Sequence, residues 1–211
     1  MTGGKSSFTP DDFFRACDVS RETLDRLRVY AALLKKWQKS INLVSPQTVQ
    51  DMWWRHFYDS AQLAALIPDR AGDLKILDIG SGAGFPGLVL SILGRGSVHL
   101  VESNSKKCAF LRQVIRETGA RAEVHQSRIE DLPPFAVDYV TSRALAPLDR
   151  LLHWVVPFVT PQTICLFPKG QSAEAELKQA QKNWRFSLKK YTSRTEESAM
   201  ILKLGKIRTL D

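Results

Sequence analysis

The chain has 211 residues, 44% of them hydrophobic and 25% charged, a composition that excludes a disordered or fibrous chain and allows a sizeable core. Lys and Arg total 30 against 22 Asp and Glu, a formal charge of +8 and a pI ≈ 9.5, which favours a polyanionic partner such as nucleic acid. Cys17, Cys108 and Cys165 are widely spaced with no CxxC, and His56, His99, His125 and His153 show no HExxH-like spacing, so neither a disulfide framework nor a metal site is expected.

Residues 1–10 lack a basic segment followed by an apolar run, so no secretory signal is expected. No apolar stretch reaches membrane-span length, and a cytoplasmic protein without membrane contact is expected. Residues 9–67 read as helical. Thr9 is an N-cap with Pro10 at the first helical position and Asp11 and Asp12 in the first turn. Ser20 caps a second helix, whose Leu24, Leu27, Ala31, Leu34 and Ile41 recur at a three-or-four step. Lys35, Lys36 and Lys39 fall mainly on its solvated side. Ser45-Pro46 opens a third helix, continuing through Met52, Trp53, His56, Phe57, Ser60, Leu63 and Leu66 until Pro68. Trp53 and Phe57 fit the buried stripe of that helix better than a base-stacking surface. Residues 69–73 read as a linker.

From residue 74 the period changes. A strand at 74–77 runs into Asp78, a run of glycines follows, and a helix covers 85–93. A strand at 98–101 ends at Glu102. The helix at 106–118 carries Phe110, Leu111, Val114 and Ile115 on one face. Strands at 121–125 and 137–141, a helix at 148–158, a strand at 163–167 and a polar helix at 173–184 come next. Residues 186–191 and 199–204 alternate as a closing pair of strands. This order implies an α/β fold with a mostly parallel sheet and helices on both faces. Residues 1–70 form a helical N-terminal extension in this reading, and residues 71–211 the ligand-binding domain.

The segment Asp78-Ile79-Gly80-Ser81-Gly82-Ala83-Gly84-Phe85-Pro86-Gly87 joins a buried strand to a helix through glycines, which let a ligand approach the backbone. Gly82-x-Gly84-x-x-Gly87 matches the dinucleotide fingerprint, and Glu102, 20 residues beyond Gly82, suits a ribose-binding carboxylate in either cofactor class. Two features favour S-adenosylmethionine over a nicotinamide cofactor. Asp78 precedes the glycines, where its carboxylate orders the turn or meets the cationic end of the cofactor. Arg128-Ile129-Glu130 follows the third strand, where such enzymes wrap a loop around the adenine. The candidate cofactor-binding residues are therefore Asp78, Gly80, Gly82, Gly84, Phe85, Glu102, Ile129 and Glu130.

With its flanking segments, the chain resembles the bacterial 16S ribosomal RNA guanine-N7 methyltransferase family, also called the glucose-inhibited division protein B family. The matching residues are Ile41-Asn42-Leu43, Arg55-His56-Phe57-x-Asp59-Ser60, the loop from Asp78 to Gly87, Lys106-Lys107-x-x-Phe110-Leu111-Arg112, Arg128-Ile129-Glu130, Thr141-Ser142-Arg143-Ala144 and Lys169-Gly170. These motifs occupy roughly residues 30–170. Ile129 stands where Ala or Val is common in the family, and Glu102 where Asp is common. Val44-Ser45 replaces a more usual Thr after Asn-Leu.

The resemblance implies a class I methyltransferase (Rossmann-like) fold, with a mostly parallel seven-stranded sheet and a helical N-terminal extension. It implies cofactor contacts at Gly80, Phe85, Ile129, Glu130 and Arg143, and methyl transfer to a guanine of the ribosomal decoding region. Guanine N7 carries an in-plane lone pair and no proton, so in-line displacement needs alignment rather than a general base. Arg143 is the expected positioning residue. Arg55, His56, Arg128 and Lys169 are the expected substrate contacts, on 16S ribosomal RNA or the assembled small subunit. Nothing demands more than a monomer. The competing readings are an NAD-dependent oxidoreductase, for which the glycines alone qualify, and a non-catalytic RNA-binding assembly factor.

Overall fold

The computed structural model describes residues 8–69 and 74–210. Linker residues 70–73, and residues 1–7 of the stretch read for a secretory signal, lie outside the described residues. Helix α1, Pro10–Cys17, begins with a reciprocal cap: Thr9 Oγ1 accepts from the Asp12 backbone N–H at 3.1 Å, and Asp12 accepts from the Thr9 N–H at 2.8 Å. Helix α2, Arg21–Gln38, is capped by Ser20, which accepts from the Thr23 N–H at 3.1 Å. It ends before Ile41 because the Gln38 side chain turns back on the chain. Its Oε1 takes the N–H groups of Leu43 and Val44 at 3.0 and 3.1 Å, satisfying groups that a continuing helix would have bonded.

The expected third helix is broken into short pieces. Pro46–Thr48 is a 3-10 turn, Trp53–Tyr58 a π-helical turn, α3 covers Asp59–Ala61, and Gln62–Leu66 is 3-10. Trp53, His56, Phe57 and Tyr58 are all buried, and a regular helix would swing Tyr58 to a different face from the other three. The wide turn lets Trp53 stack on Phe57 at 4.6 Å and Trp54 on Tyr58 at 5.1 Å. π turns of this kind recur at functional sites.

The sheet has seven strands: β1 (Lys75–Ile79), β2 (Ser97–Val101), β3 (Ala122–His125), β4 (Tyr139–Thr141), β5 (Ile164–Lys169), β6 (Trp184–Thr192) and β7 (Met200–Thr209). Their order is β3-β2-β1-β4-β5-β7-β6. The first five strands are parallel, and β7 runs antiparallel between β5 and β6. An all-parallel 3-2-1-4-5-6 dinucleotide sheet has no such reversed strand. Successive strands build outward on both sides of the β1–β4 junction, so the crevice beyond the ends of these two strands is the topological switch point where ligands bind in open α/β sheets.

One face of the sheet carries α1, α2, α4 (Gly87–Ile92) and α5 (Ser105–Thr118) over a core that includes Leu27, Tyr30, Phe57, Leu88 and Phe110. The other carries α6 (Leu148–Val155) and α7 (Ala173–Ala180), with Leu77, Val140, Leu151, Phe167 and Trp184 inside. Each fully buried Leu or Phe contributes about 1.5–3 kcal/mol. The helix expected to reach residue 184 stops at Ala180, because buried Trp184 opens β6 and donates its indole N–H to Asp149 at 3.0 Å. Among the described residues no helix is long and apolar enough to cross a membrane.

Candidate cofactor and substrate site

The glycine loop leaves β1 at the switch point. Gly80, Gly82 and Gly84 have φ of +66°, +57° and +91°, left-handed values that residues with a Cβ rarely adopt. A Cβ on Gly84 would fall 2.5 Å from Leu88 Cδ1 and 2.8 Å from the Tyr30 hydroxyl oxygen, whereas one on Gly82 would meet nothing nearer than the Gly80 carbonyl at 3.7 Å. Gly84 is thus required by packing, while the Gly82 backbone is open to a ligand. The Leu145 side chain covers Gly80. The loop is fixed from below: Ser81 N–H donates to the Val101 carbonyl at 3.0 Å, and Ser142 Oγ to the Ile79 carbonyl at 3.0 Å.

Glu102 sits just past the end of β2, and its carboxylate accepts from the N–H groups of Gly82 at 3.0 Å and Asn104 at 2.8 Å. Each oxygen keeps a lone-pair direction for a further donor. The 20-residue spacing seen in the sequence is therefore a direct contact between the carboxylate and the glycine loop. Asp78 is 0% exposed and lies beneath the loop. Thr141 donates to its Oδ1 at 2.7 Å, and its Oδ2 lies against Gly87 at the start of α4. Burial pushes its carboxyl up to about 6, against the lowering effect of the Thr141 hydroxyl. Of the two roles expected for Asp78, this placement matches ordering of the turn.

Phe85 is also buried. Its ring stacks on Tyr30 at 5.2 Å and on His56 at 5.1 Å, and the Arg143 guanidinium lies 5.2 Å from its centroid. Arg143 follows β4 and is held on several sides. It donates to His56 Nδ1 at 3.0 Å and to the Arg55 carbonyl at 3.1 Å, and pairs with Asp59 Oδ2 at 3.3 Å. Asp59 Oδ1 in turn accepts from Thr195 Oγ1 at 2.5 Å, and Arg55 pairs with Glu196 at 2.9 Å. The π turn and the β4 exit meet at this guanidinium, and the β6–β7 connection reaches it through Asp59 and Arg55. They border a cleft of ≈ 670 Å³ that reaches Thr48, His56, Leu145 and Lys169.

The other expected residues are placed differently from one another. Ile129 is buried and opens a short 3-10 turn beyond β3, with Glu130 exposed beside it and Arg128 exposed before it. Lys169 is 8% exposed, and its ammonium is 2.8 Å from Glu176 and donates to the Ala146 carbonyl at 2.6 Å. Burial pushes the Glu176 carboxyl up, but the hydrogen bonds from Lys169 and Ser172 outweigh it and hold the group below its ordinary value. Glu176 also accepts from the Leu148 N–H at 2.8 Å, so Lys169 and Glu176 together brace the loop that carries Arg143 and Leu145. Asp59, Thr195 and Glu176 are parts of the site that sequence reasoning did not single out. Asp59 stands inside the Arg-His-Phe-x-Asp-Ser motif, which was the one available signal.

The donor set fits a nucleoside cofactor: an open glycine backbone at Gly82, a carboxylate at its rim, and an apolar residue, Ile129, beyond the third strand. A family model described as rRNA small subunit methyltransferase G matches residues 23–201, extending past residue 170, where the recognisable motifs stop. The chain is 52% identical to the ribosomal RNA small subunit methyltransferase G of Rhodospirillum centenum, over 95% of its own length and 92% of the relative's. It is 50% identical to that of Paramagnetospirillum magneticum, over 94% and 96%. Among solved structures, it is similar to the ribosomal protein L11 methylase of Lactobacillus delbrueckii (TM-score 0.58, 14% identity, 77% and 80% coverage). It is also similar to a point mutant of MtNAS in complex with S-adenosylmethionine (TM-score 0.58, 17% identity, 96% and 85% coverage). These two likenesses establish the class I methyltransferase fold.

Proposed function

This chain belongs to the rRNA small subunit methyltransferase G family, and on that premise we propose that it methylates N7 of a guanine in the decoding region of 16S ribosomal RNA. It is an S-adenosylmethionine-dependent rRNA methyltransferase, and the oxidoreductase reading is set aside. The observation that carries the finer reading is the Leu145 side chain, which lies over Gly80 of the loop whose Gly82 N–H is bonded to Glu102 and also lines the cleft in which Arg143 is fixed.

S-adenosylmethionine, when bound, supplies an electrophilic methyl group. In this reading the Gly82 backbone would hold it, with Gly80 and Gly84 shaping the turn around it, the Glu102 carboxylate toward the ribose hydroxyls, and Ile129 and Glu130 toward the adenine. Asp78 and Phe85 act from beneath: Asp78 sets the turn, and Phe85 backs Arg143 and His56. Guanine N7 has no proton to lose, so no side chain need act as a base and in-line displacement asks only for alignment. His56 agrees with this. Burial first, then Arg143 and Arg55, lower its pKa to about 3, so it stays neutral and serves to position. Arg143, rigidly held, orients what enters the cleft.

Arg55 and Arg128 are exposed and suit phosphate contacts, in keeping with the +8 charge. Lys169 we assign to bracing the rim. Because A-form RNA hides N7 in a deep narrow groove, the target guanine lies in a loop or an opened segment. The reading places the enzyme in the cytoplasm, acting as a monomer on 16S rRNA or the small subunit. The test is transfer of labelled methyl groups to small subunits from cells lacking the enzyme, followed by reductive cleavage at N7-methylguanine. One new cleavage in the decoding region is the expected result. Label incorporation without cleavage would overturn the N7 assignment, and binding of the subunit without transfer would favour a non-catalytic assembly factor.

A further inference from the structure

At one edge of the sheet, β2 and β3 carry side chains of a different kind from the apolar face they extend. His99 on β2 stands beside Glu123 on β3 in the parallel register, and His125 lies two residues beyond Glu123. Alternation along each strand therefore sends all three side chains to the same face. His99 Nδ1 and His125 Nε2 are 2.9 Å apart, and Glu123 Oε2 is 3.8 Å from His99 Nδ1. One ligand atom from each residue lies within 4.8 Å of the other two. Phe135 walls the group, with ring centroids 4.7 Å from His99 and 6.0 Å from His125, and Phe158 backs Phe135 at 5.6 Å.

We propose that His99, Glu123 and His125 bind one Zn2+ ion at this edge, apart from the methyl-transfer site. Neutral imidazole nitrogens and a carboxylate oxygen are the ligand types zinc takes in tetrahedral sites, with water completing the fourth position. The imidazole pair favours zinc over magnesium or calcium, which take oxygen ligands. The two nitrogens need open by only a few tenths of an ångström to share an ion at roughly 2.0–2.1 Å from each. The Glu123 side chain is 69% exposed and free to swing inward. The neighbouring aromatic rings limit water on the inner side. The ion would pin β3 to β2. The Glu102 N–H donates to the His125 carbonyl at 3.1 Å, so that pin also steadies the strand end bearing the proposed ribose carboxylate. Spacing along the chain hides the set, because parallel pairing brings together residues 26 positions apart.

The test uses the full chain, stripped with EDTA and titrated with Zn2+ against a chromophoric chelator. The expected result is one equivalent bound per chain, and a rise in melting temperature with zinc. In His99→Gln and in His125→Gln affinity should fall by more than about tenfold, the lower bound typical even of changes one shell further out. Glu123→Gln should weaken binding less. A His99→Gln/His125→Gln double variant that binds as the parent does, or a parent chain that binds no stoichiometric zinc, overturns the proposal. Because a variant can fail to fold, the parent chain is also loaded with Co2+. A tetrahedral visible spectrum without a thiolate charge-transfer band supports the site, and a thiolate band, placing the metal on cysteine, overturns it. Neither measurement depends on methyl transfer.

Discussion

Arg143 donates to His56 Nδ1 at 3.0 Å, and the direction of that bond fixes the hydrogens of the whole site. A guanidinium has no acceptor, so Nδ1 of His56 must be bare and Nε2 must carry the proton. Nε2–H then donates to Thr48 Oγ1 at 2.8 Å, and Thr48 passes its own hydroxyl hydrogen to the Ser45 carbonyl at 2.7 Å. The chain of donors runs from the β4 exit to the N-terminal segment without a break, and protonating His56 would put two donors face to face.

This arrangement predicts a pH-dependent stability. The His56 pKa is depressed from 6.5 to about 3, first by burial and then by Arg143 and Arg55. Its contribution is fully present above the unfolded value of 6.5 and is lost as pH falls toward 3. The loss approaches about 1.4 kcal/mol per pH unit in that window. His56→Gln cannot titrate, so the difference between parent and variant in urea midpoint should narrow steadily from about pH 7 to about pH 4.5. Parallel profiles would mean that His56 protonates freely in the folded chain.

Arg143→Lys should retain the charge and lose the site. One ammonium cannot reach His56, the Arg55 carbonyl and Asp59 together in the plane that the guanidinium holds. Methyl transfer to small subunits should fall on the order of 10²-fold, the scale of a misplaced reacting group, with the melting temperature changed by only a few degrees. Asp59→Asn should show the same pattern more weakly, because it loosens Arg143 without removing it. Full activity in both variants would refute a positioning role.

The features legible in the sequence are those whose partners are close in the chain or follow a local period. Thr9 and Asp12 cap α1 from three residues apart, and the glycine turn lies between a strand and a helix that its neighbours specify. Gly82 and Glu102 were readable because one strand–turn–helix unit fixes their separation. Arg143 meets Asp59 across 84 residues and Asp59 meets Thr195 across 136, contacts that only the strand order produces. The burial of Lys169 was not legible either. A lysine at a strand end is usually solvated, and its burial depends on Glu176, which reaches it from the following helix.

Lys169→Met should therefore destabilise the chain by about 3 kcal/mol, the cost of leaving one member of a buried ion pair without its partner. Adding Glu176→Gln should recover part of that loss, since the uncompensated charge is then gone. Urea unfolding of the single and double variants measures both. A double variant less stable than Lys169→Met would show that Glu176 contributes chiefly through its bonds to Ser172 and the Leu148 N–H.

Gly82 and Gly84 should separate folding from cofactor binding. Both residues are left-handed, so Ala at either costs about 1–2 kcal/mol of backbone strain. At Gly84 the new methyl also meets Leu88 and Tyr30 inside 3 Å, and overpacking adds about 1–3 kcal/mol. Gly84→Ala should therefore lower the melting temperature sharply. Gly82→Ala places its methyl in open space beside Glu102, so it should remain folded and bind S-adenosylmethionine at least about tenfold more weakly, a loss of about 1.4 kcal/mol. Calorimetric titration on the two variants, alongside their melting curves, decides the matter. Unchanged affinity in a folded Gly82→Ala protein would move the cofactor off this backbone.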